Sequence, residues 1–144
     1  ATGLRDPLSA APVQYVVHGV SKDLVRGPAS NSVTVSDAVN PRLIVGTRGA
    51  AIVVNQYPFT LQFTEPLNKG AAEGIANYTF SNTGGVVYTI VRADYLGWQG
   101  ASYVVRLTVN TSAAPIAGAI LTVANNVTDI AGNNIDSAAN SQAF

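Results

Sequence analysis

The segment Phe59–Thr64, FTLQFT, alternates apolar and polar residues without interruption. Successive side chains of an extended strand point to opposite faces, so Phe59, Leu61 and Phe63 share one face and the threonines and glutamine share the other. This alternation is typical of a strand with one buried and one solvent-facing surface. The segment therefore predicts a strand in a sheet that packs on one side against a core.

Eight further runs rich in Val, Ile, Thr, Tyr and Phe have the composition of strands, and Gly-, Pro- and Asn-rich segments separate them. They are VQYVVHGV (13–20), SVTVS (32–36), RLIVG (42–46), AAIVVNQY (50–57), ANYTFS (76–81), VVYTIVRADY (86–95), SYVVRLTV (102–109) and AILTVANNV (119–127). One helical turn is predicted in NKGAAEGIAN (68–77). The pattern predicts an all-β, Ig-like β-sandwich of about 7–9 mostly antiparallel strands. We expect a flexible amino-terminal extension, residues 1–12, followed by the sandwich domain, residues 13–144.

The chain carries few charges for its length. Only 11% of its 144 residues are charged, and the eight basic residues balance the eight acidic ones, whereas ordinary soluble domains hold about 25% charged residues. A surface with so few charges favours association with like subunits or coverage by glycan. The alternative interpretation is that Ser, Thr, Asn and Gln make the surface polar. There is no basic footprint for nucleic acid, and no apolar run reaches the roughly 18 residues that span a bilayer.

The beginning of the chain, ATGLRDPLSAAP (1–12), has neither a methionine nor an apolar leader. This composition suits a mature secreted chain that has lost its signal peptide, and a cloned fragment would look the same. Three sequons place glycosylation candidates at Asn77, Asn110 and Asn126.

Few side chains are suited to catalysis. The chain has no cysteine, one histidine (His18) and only two glutamates (Glu65 and Glu73), and it contains no GxSxG motif. No aromatic-rich groove accompanies the two glutamates, as glycosidase chemistry would require. We therefore expect no enzyme activity, no catalytic residue and no cofactor.

A dense polar segment, TDIAGNNID (128–136), supplies the oxygen ligands that calcium takes. Its candidate ligands are Asp129, Asn133, Asn134 and Asp136, but their spacing is not that of an EF-hand loop and only two are carboxylates. A turn shaped by Asp129 and Gly132 is therefore the favoured interpretation, and calcium stays an alternative.

One aromatic residue, Trp98, lies between glycines in YLGWQG (95–100), with Tyr95 and Tyr103 nearby. Its ring is a candidate for stacking on a sugar, because aromatic faces suit such binding. The other interpretation is that the indole caps the core.

Four segments resemble the bacterial Ig-like domains found in surface-layer proteins and large adhesins. They are YPFTLQFTEPLNKG, ANYTF, YVVRLTVN and IAGAILTVANNVTDIAGNNID, which together cover residues 57–136, and NVTDIAGNNID is the most specific of their elements. The resemblance implies an extracellular, non-catalytic module that builds or spaces surface structures. Residues 1–50 carry no distinctive motif of this family.

The amino-terminal strand is the candidate for a function of this chain's own. Val13, Tyr15 and Val17 lie on one face of VQYVVHGV, and an apolar strand can fill a neighbour's open sheet edge through main-chain hydrogen bonds. We therefore expect a structural subunit of an extracellular filament, pilus-like fibre or surface layer, a homopolymer that donates this strand to the next copy. The alternatives are an adhesin or carbohydrate-binding module of a larger secreted protein, with glycans or cell-surface components as partners, and a spacer attached to a secreted hydrolase.

Overall fold

The computed structural model describes residues 13–15, 18–20, 26–29 and 33–144, with the backbone alone for residues 13–35. The strands of this part are β1 (Val13–Tyr15), β2 (His18–Val20), β3 (Arg26–Ala29), β4 (Val33–Val35), β5 (Leu43–Arg48), β6 (Gln56–Phe63), β7 (Tyr78–Ser81), β8 (Tyr88–Trp98), β9 (Tyr103–Thr111), β10 (Ile120–Val123) and β11 (Ser141–Ala143). The helical elements are α1 (Lys69–Ala72) and two 3₁₀ turns, Ile75–Asn77 and Ser137–Ala139. The extension predicted for residues 1–12 lies outside the described residues.

Seven strands form two antiparallel sheets, which confirms the predicted all-β sandwich. One sheet has the order β5-β6-β9-β8 and the other has the order β11-β10-β7. The four amino-terminal strands pair among themselves, β1 with β4 and β2 with β3. Within the part of the chain that the structure describes, no helix is long and apolar enough to cross a membrane.

The core lies between the central strands of the two sheets. β6 and β9 pair without a register shift from Gln56 opposite Asn110 to Phe63 opposite Tyr103. The side chains of Phe59, Leu61 and Phe63 are fully buried, as their alternation with polar residues predicts. Burial of their apolar surface is the main favourable term for the fold.

Aromatic contacts join the two sheets. The ring of Phe59 in β6 forms an edge-to-face pair with the ring of Phe80 in β7, with a centroid distance of 5.2 Å. It forms a second edge-to-face pair with the ring of Phe144, which follows β11, at a centroid distance of 4.8 Å. Edge-to-face pairs of this kind add to the stabilisation by burial.

The prediction of a strand over residues 50–57 is wrong. The amide of Gln56 donates to the carbonyl oxygen of Val53 at 3.0 Å, which closes a tight turn, and β6 begins only at Gln56. Asn55 adopts a positive φ of 60°, a conformation that Asn tolerates better than most residues. The apolar run that suggested a strand is exposed at the turn, where 89% of Val54 is accessible to solvent.

The short helix predicted within residues 68–77 is confirmed as α1. The side chain of Asn68 accepts a hydrogen bond from the amide of Ala71 at 3.2 Å and caps the first turn. The hydroxyl of Tyr78 at the start of β7 donates to the carbonyl oxygen of Ala72, which ties the helix to the three-stranded sheet.

We expect Leu107→Ala to lower the free energy of unfolding by about 2–5 kcal/mol, because it leaves a cavity at a fully buried position of β9. The control Val54→Ala removes an 89% exposed side chain and should change it by less than about 0.5 kcal/mol. Urea unfolding followed by circular dichroism measures both changes. Equal losses in the two variants would contradict this location of the core.

Candidate functional site

An open groove separates the two sheets on one side of the sandwich. β7 ends the three-stranded sheet and β8 ends the four-stranded sheet, and among the described strands neither has a neighbour on its outer edge. The groove has a volume of about 440 Å³ and is lined by Ile75, Ala76, Tyr78, Thr79, Phe80, Tyr88, Thr89 and Ile90. None of these residues carries a charge, so the groove suits an uncharged occupant.

The floor of the groove is continuous with the core. The rings of Phe80 and Tyr88 stack with a centroid distance of 4.5 Å, and Phe80 in turn contacts the buried Phe59. Phe80, Tyr88 and Ile90 are only partly buried, although they pack against the core residues. An apolar floor between two strand edges that have no partner among the described residues is the arrangement that accepts an added strand.

The opposite side of the sandwich is closed. Phe144 packs over Gly46 of β5, where an added Cβ would lie 2.6 Å from its ring, so only glycine fits there. The amide of Gly46 also donates to the side-chain oxygen of Gln142 at 3.3 Å, and the amide of Phe144 donates to the carbonyl oxygen of Ala119 at 3.0 Å. The carboxyl-terminal residues thus cover the β5–β11 side, whereas no described residue covers the β7–β8 side.

The candidate assembly strand is paired within its own chain. In β1, Val13 lies opposite Val35 and Tyr15 lies opposite Val33 of β4. Val17, the third candidate, lies outside the described residues. The structure therefore shows Val13 and Tyr15 in an extended strand, as their alternation predicts, with β4 as its partner.

Trp98 is the last residue of strand β8, and its ring is exposed. It is 52% exposed and its centroid lies 5.2 Å from that of Tyr103, which is itself buried. The hydroxyl of Tyr95 accepts a hydrogen bond from the amide of Leu67 at 3.0 Å, and burial raises the pKa of this phenol. The two tyrosines therefore point inward, and a single indole face remains for stacking on a ligand.

Three carboxylates from distant parts of the chain converge at one end of the sandwich. Asp37 follows β4, Glu65 follows β6 and Asp129 lies in the loop after β10, and one oxygen of each lies within 4.8 Å of the others. This carboxylate cluster was not identified from the sequence. Glu65 and Asp129 do lie in segments quoted above, YPFTLQFTEPLNKG and NVTDIAGNNID, but these are far apart in the sequence and are brought together in the fold by the pairing of Leu67 with Asp129.

The polar turn that contains Asp129 supports the cluster. The amide of Asn133 donates to Oδ1 of Asp129 at 2.8 Å, and its side-chain nitrogen donates to Oδ2 at 2.7 Å and to the carbonyl oxygen of Asp37 at 3.2 Å. Gly132 has a φ of 91°, which confirms the predicted glycine turn. The side chain of Asn133 therefore holds Asp129 in place and joins it to the segment after β4.

Of the four calcium candidates, Asp129 alone belongs to this cluster; Asn133 hydrogen-bonds to it, and the other two lie apart from it. Asn134 is exposed and pairs with Thr128 through the backbone. Asp136 lies 3.2 Å from Arg42 and caps the second 3₁₀ turn by accepting from the amide of Ala138. The ligand set predicted from the run TDIAGNNID is therefore divided, and Asp37 and Glu65 take the places beside Asp129.

The glycosylation candidates differ in their surroundings. The side-chain nitrogen of Asn126 donates to Oδ1 of Asn77 at 2.7 Å, and that of Asn77 donates to the carbonyl oxygen of Ala71 at 2.8 Å. Asn110 is exposed on β9, and its Oδ1 accepts from Gln56. A glycan attaches to the side-chain nitrogen of asparagine. These hydrogen bonds engage the side-chain nitrogens of Asn77 and Asn126 and leave that of Asn110 unengaged.

The cluster changes the acidity of Glu65. Burial, with Asp37 and then Asp129 adding negative charge, raises the pKa of this carboxyl from 4.5 to about 7. Between about pH 4.5 and pH 7, Glu65 therefore keeps its proton in the folded protein but has released it in the unfolded chain. Because the folded state binds more protons than the unfolded state in this pH range, the free energy of unfolding falls as the pH rises through it.

We expect Glu65→Gln to flatten the dependence of unfolding free energy on pH between about 4.5 and 7, because the amide removes the titrating carboxyl. The comparison uses metal-free protein in a chelating buffer, with urea unfolding at a series of pH values. Asp94→Asn, which changes an acidic residue outside the cluster, is the control and should keep the wild-type slope. An unchanged slope in Glu65→Gln would show that Glu65 does not titrate in this range.

Comparisons with known proteins do not assign a family. No protein-family model matches the chain, and no curated protein matches it. Among solved structures, the chain is similar to the N-terminal part of the bacterial S-layer protein SbsC, with 18% identity and a TM-score of 0.42, over 74% of this chain and 24% of that one. The Ig-like type of the sandwich stays a prediction.

Proposed function

We propose that this protein is a non-catalytic structural subunit of an extracellular surface assembly, in which the amino-terminal strand of one copy occupies the β7–β8 groove of the next. The observation that carries the proposal is the open groove itself, which has an apolar floor between two edges that no other described strand pairs with. The extracellular location rests on the sequence resemblance of NVTDIAGNNID to surface-layer and adhesin modules.

The chemistry of the amino-terminal segment matches the groove. Residues 11–20, APVQYVVHGV, contain no Asp, Glu, Lys or Arg, and the groove lining contains none either. A strand laid beside β7 or β8 would turn every second side chain toward the floor, so Val13, Tyr15 and Val17 would cover Phe80, Tyr88 and Ile90, while its backbone pairs with a free edge. A strand added beside β7 would give the smaller sheet four strands, as in the sheet opposite.

Release of the donated strand from its own chain requires little reorganisation. The described pairing of β1 with β4 comprises three residue pairs, against eight between β6 and β9. Exchange of β4 for a neighbour's edge replaces the antiparallel β1–β4 ladder with another ladder of main-chain hydrogen bonds. Because donor and acceptor are different surfaces of the molecule, the contact is head-to-tail and generates an open-ended polymer.

Several large apolar side chains at the groove and along β8 are exposed. Ile75 at the groove is 47% exposed, and Val91, Leu96 and Trp98 of β8 are 44%, 37% and 52% exposed. Coverage by a neighbouring subunit would remove this surface from water and accounts for the low charge content of the chain.

A carbohydrate-binding module is the second candidate function. The observation that favours it is the indole of Trp98, which is half exposed and held in a tilted contact with Tyr103. A ring fixed in this way can stack on a sugar face without losing much side-chain freedom.

We expect Ile75→Lys and a chain lacking residues 1–20 each to fail to polymerise. The lysine places a charge that strand insertion would have to desolvate, and the deletion removes the donated strand. The control Ile52→Lys changes a residue that is 56% exposed and lies outside the groove, and it should polymerise normally. Negative-stain microscopy and light scattering measure assembly.

Mixing the two defective chains sharpens this test. Ile75→Lys keeps the donor strand and the truncated chain keeps the groove, so the mixture should form one-to-one complexes and no polymer. Polymers formed by either variant alone would refute strand addition at this groove.

For the second candidate, Trp98→Ala should abolish retention on a glycan array while the melting temperature stays near that of the wild type, because the indole is half exposed. Glycan binding that survives the substitution, or the absence of binding by the wild-type chain, would exclude Trp98 as the stacking residue.

A further inference from the structure

We propose that Asp37, Glu65 and Asp129 bind a calcium ion that fastens the segment after β4 and the loop after β10 to the end of β6. This site goes beyond the proposed assembly function and does not depend on it. It also differs from the ligand set suggested by the run 128–136, because two of its three carboxylates come from elsewhere in the chain.

The first argument concerns charge. One oxygen from each of the three carboxylates lies within 4.8 Å of the others. The ion pairs formed among the described residues involve Asp136, Glu73 and Asp94, and none of them reaches this cluster. Negative charges gathered so closely repel one another, and a cation bound between them would relieve that repulsion.

The second argument concerns an unsatisfied buried atom. Oε2 of Glu65 exposes less than 1 Å² to solvent and has no hydrogen-bond partner among the described residues. Buried carboxylate oxygens are ordinarily paired, hydrogen-bonded or bound to a metal. Hydrogen bonding within the described part of the chain leaves this atom unsatisfied, and a bound cation would supply its missing partner.

The third argument concerns Asp129, whose side chain is completely buried. Its two oxygens each accept one hydrogen bond, both from Asn133. A carboxylate oxygen has capacity for a second partner, so both oxygens can bind an ion while the bonds to Asn133 fix their direction.

The backbone already holds the three segments together. The amide of Asn68 donates to the carbonyl oxygen of Thr128 at 2.8 Å, next to the bridge between Leu67 and Asp129. The side chain of Asn133 reaches the carbonyl oxygen of Asp37. Because the ligands are positioned by contacts of their own, binding an ion requires little further ordering.

The donor set selects a hard cation. All three ligands are carboxylates, whereas zinc and copper favour the nitrogen and sulfur ligands that this cluster lacks. Calcium binds carboxylate oxygens at about 2.3–2.6 Å, so oxygens on opposite sides of the ion can stand about 5 Å apart. Separations within 4.8 Å fit that span, and calcium tolerates irregular geometry better than magnesium does.

Calorimetric titration of the full chain, first freed of metal with EGTA, tests the site with CaCl₂ as the probe. We expect one ion per chain, a melting temperature that is higher in CaCl₂ than in EGTA, and weaker binding of MgCl₂. Glu65→Gln and Asp37→Asn should each weaken calcium binding by about tenfold or more, because each variant loses one charged ligand.

Asp94→Asn is the matched control, since Asp94 pairs with Arg92 away from the cluster, and it should bind calcium as the wild type does. Glu65 and Asp37 are tested in place of the fully buried Asp129, so the result does not depend on whether a change at Asp129 prevents folding. Absence of both binding heat and a shift in melting temperature would overturn the proposal. Wild-type affinity in Glu65→Gln and Asp37→Asn, or binding of magnesium as tight as that of calcium, would overturn it equally.

Discussion

The pairing of β6 with β9 is the interaction on which the rest of the structure depends. Eight consecutive residue pairs join these two central strands, and the alternation along each strand directs Phe59, Leu61, Leu107 and Val109 into the core. β5 and β8 attach to their outer sides. The outer edge of β8, and with it one wall of the groove, is therefore placed by the same register that places the core.

This central pair could be predicted from sequence because its information is local. The alternation in FTLQFT fixes which side chains of β6 are buried, since a shift by one residue would expose all of them. The exposed turn before β6 could not be predicted in the same way. The three residues before Asn55 have the composition of a strand: they are Ile52, Val53 and Val54. They form a turn because Asn55 adopts a positive φ and the amide of Gln56 donates to the carbonyl oxygen of Val53.

The two candidate sites required information that no short segment contains. The groove exists because β7 and β8 end their sheets on the same side, and strand order is set by contacts between residues far apart in the chain. The carboxylate cluster depends on the bridge between Leu67 and Asp129 and on the placement of Asp37 beside them. The sequence identified Asp129 as a candidate ligand, and its partners became evident only when β6 and the loop after β10 were brought side by side.

The two walls of the groove are not equivalent, and the difference indicates which of them accepts a strand. Exposed sheet edges are commonly protected by bulges and charges. β8 has register shifts between Ile90 and Arg92 and between Tyr95 and Gly97, and Arg92 pairs with Asp94 along it. β7 pairs with β10 without a shift, and its four residues, YTFS, carry no charge. Because only β8 is protected, β7 is the edge suited to main-chain pairing. In the proposed assembly the incoming strand therefore adds to the three-stranded sheet beside β7, and β8 packs against the side chains of that incoming strand.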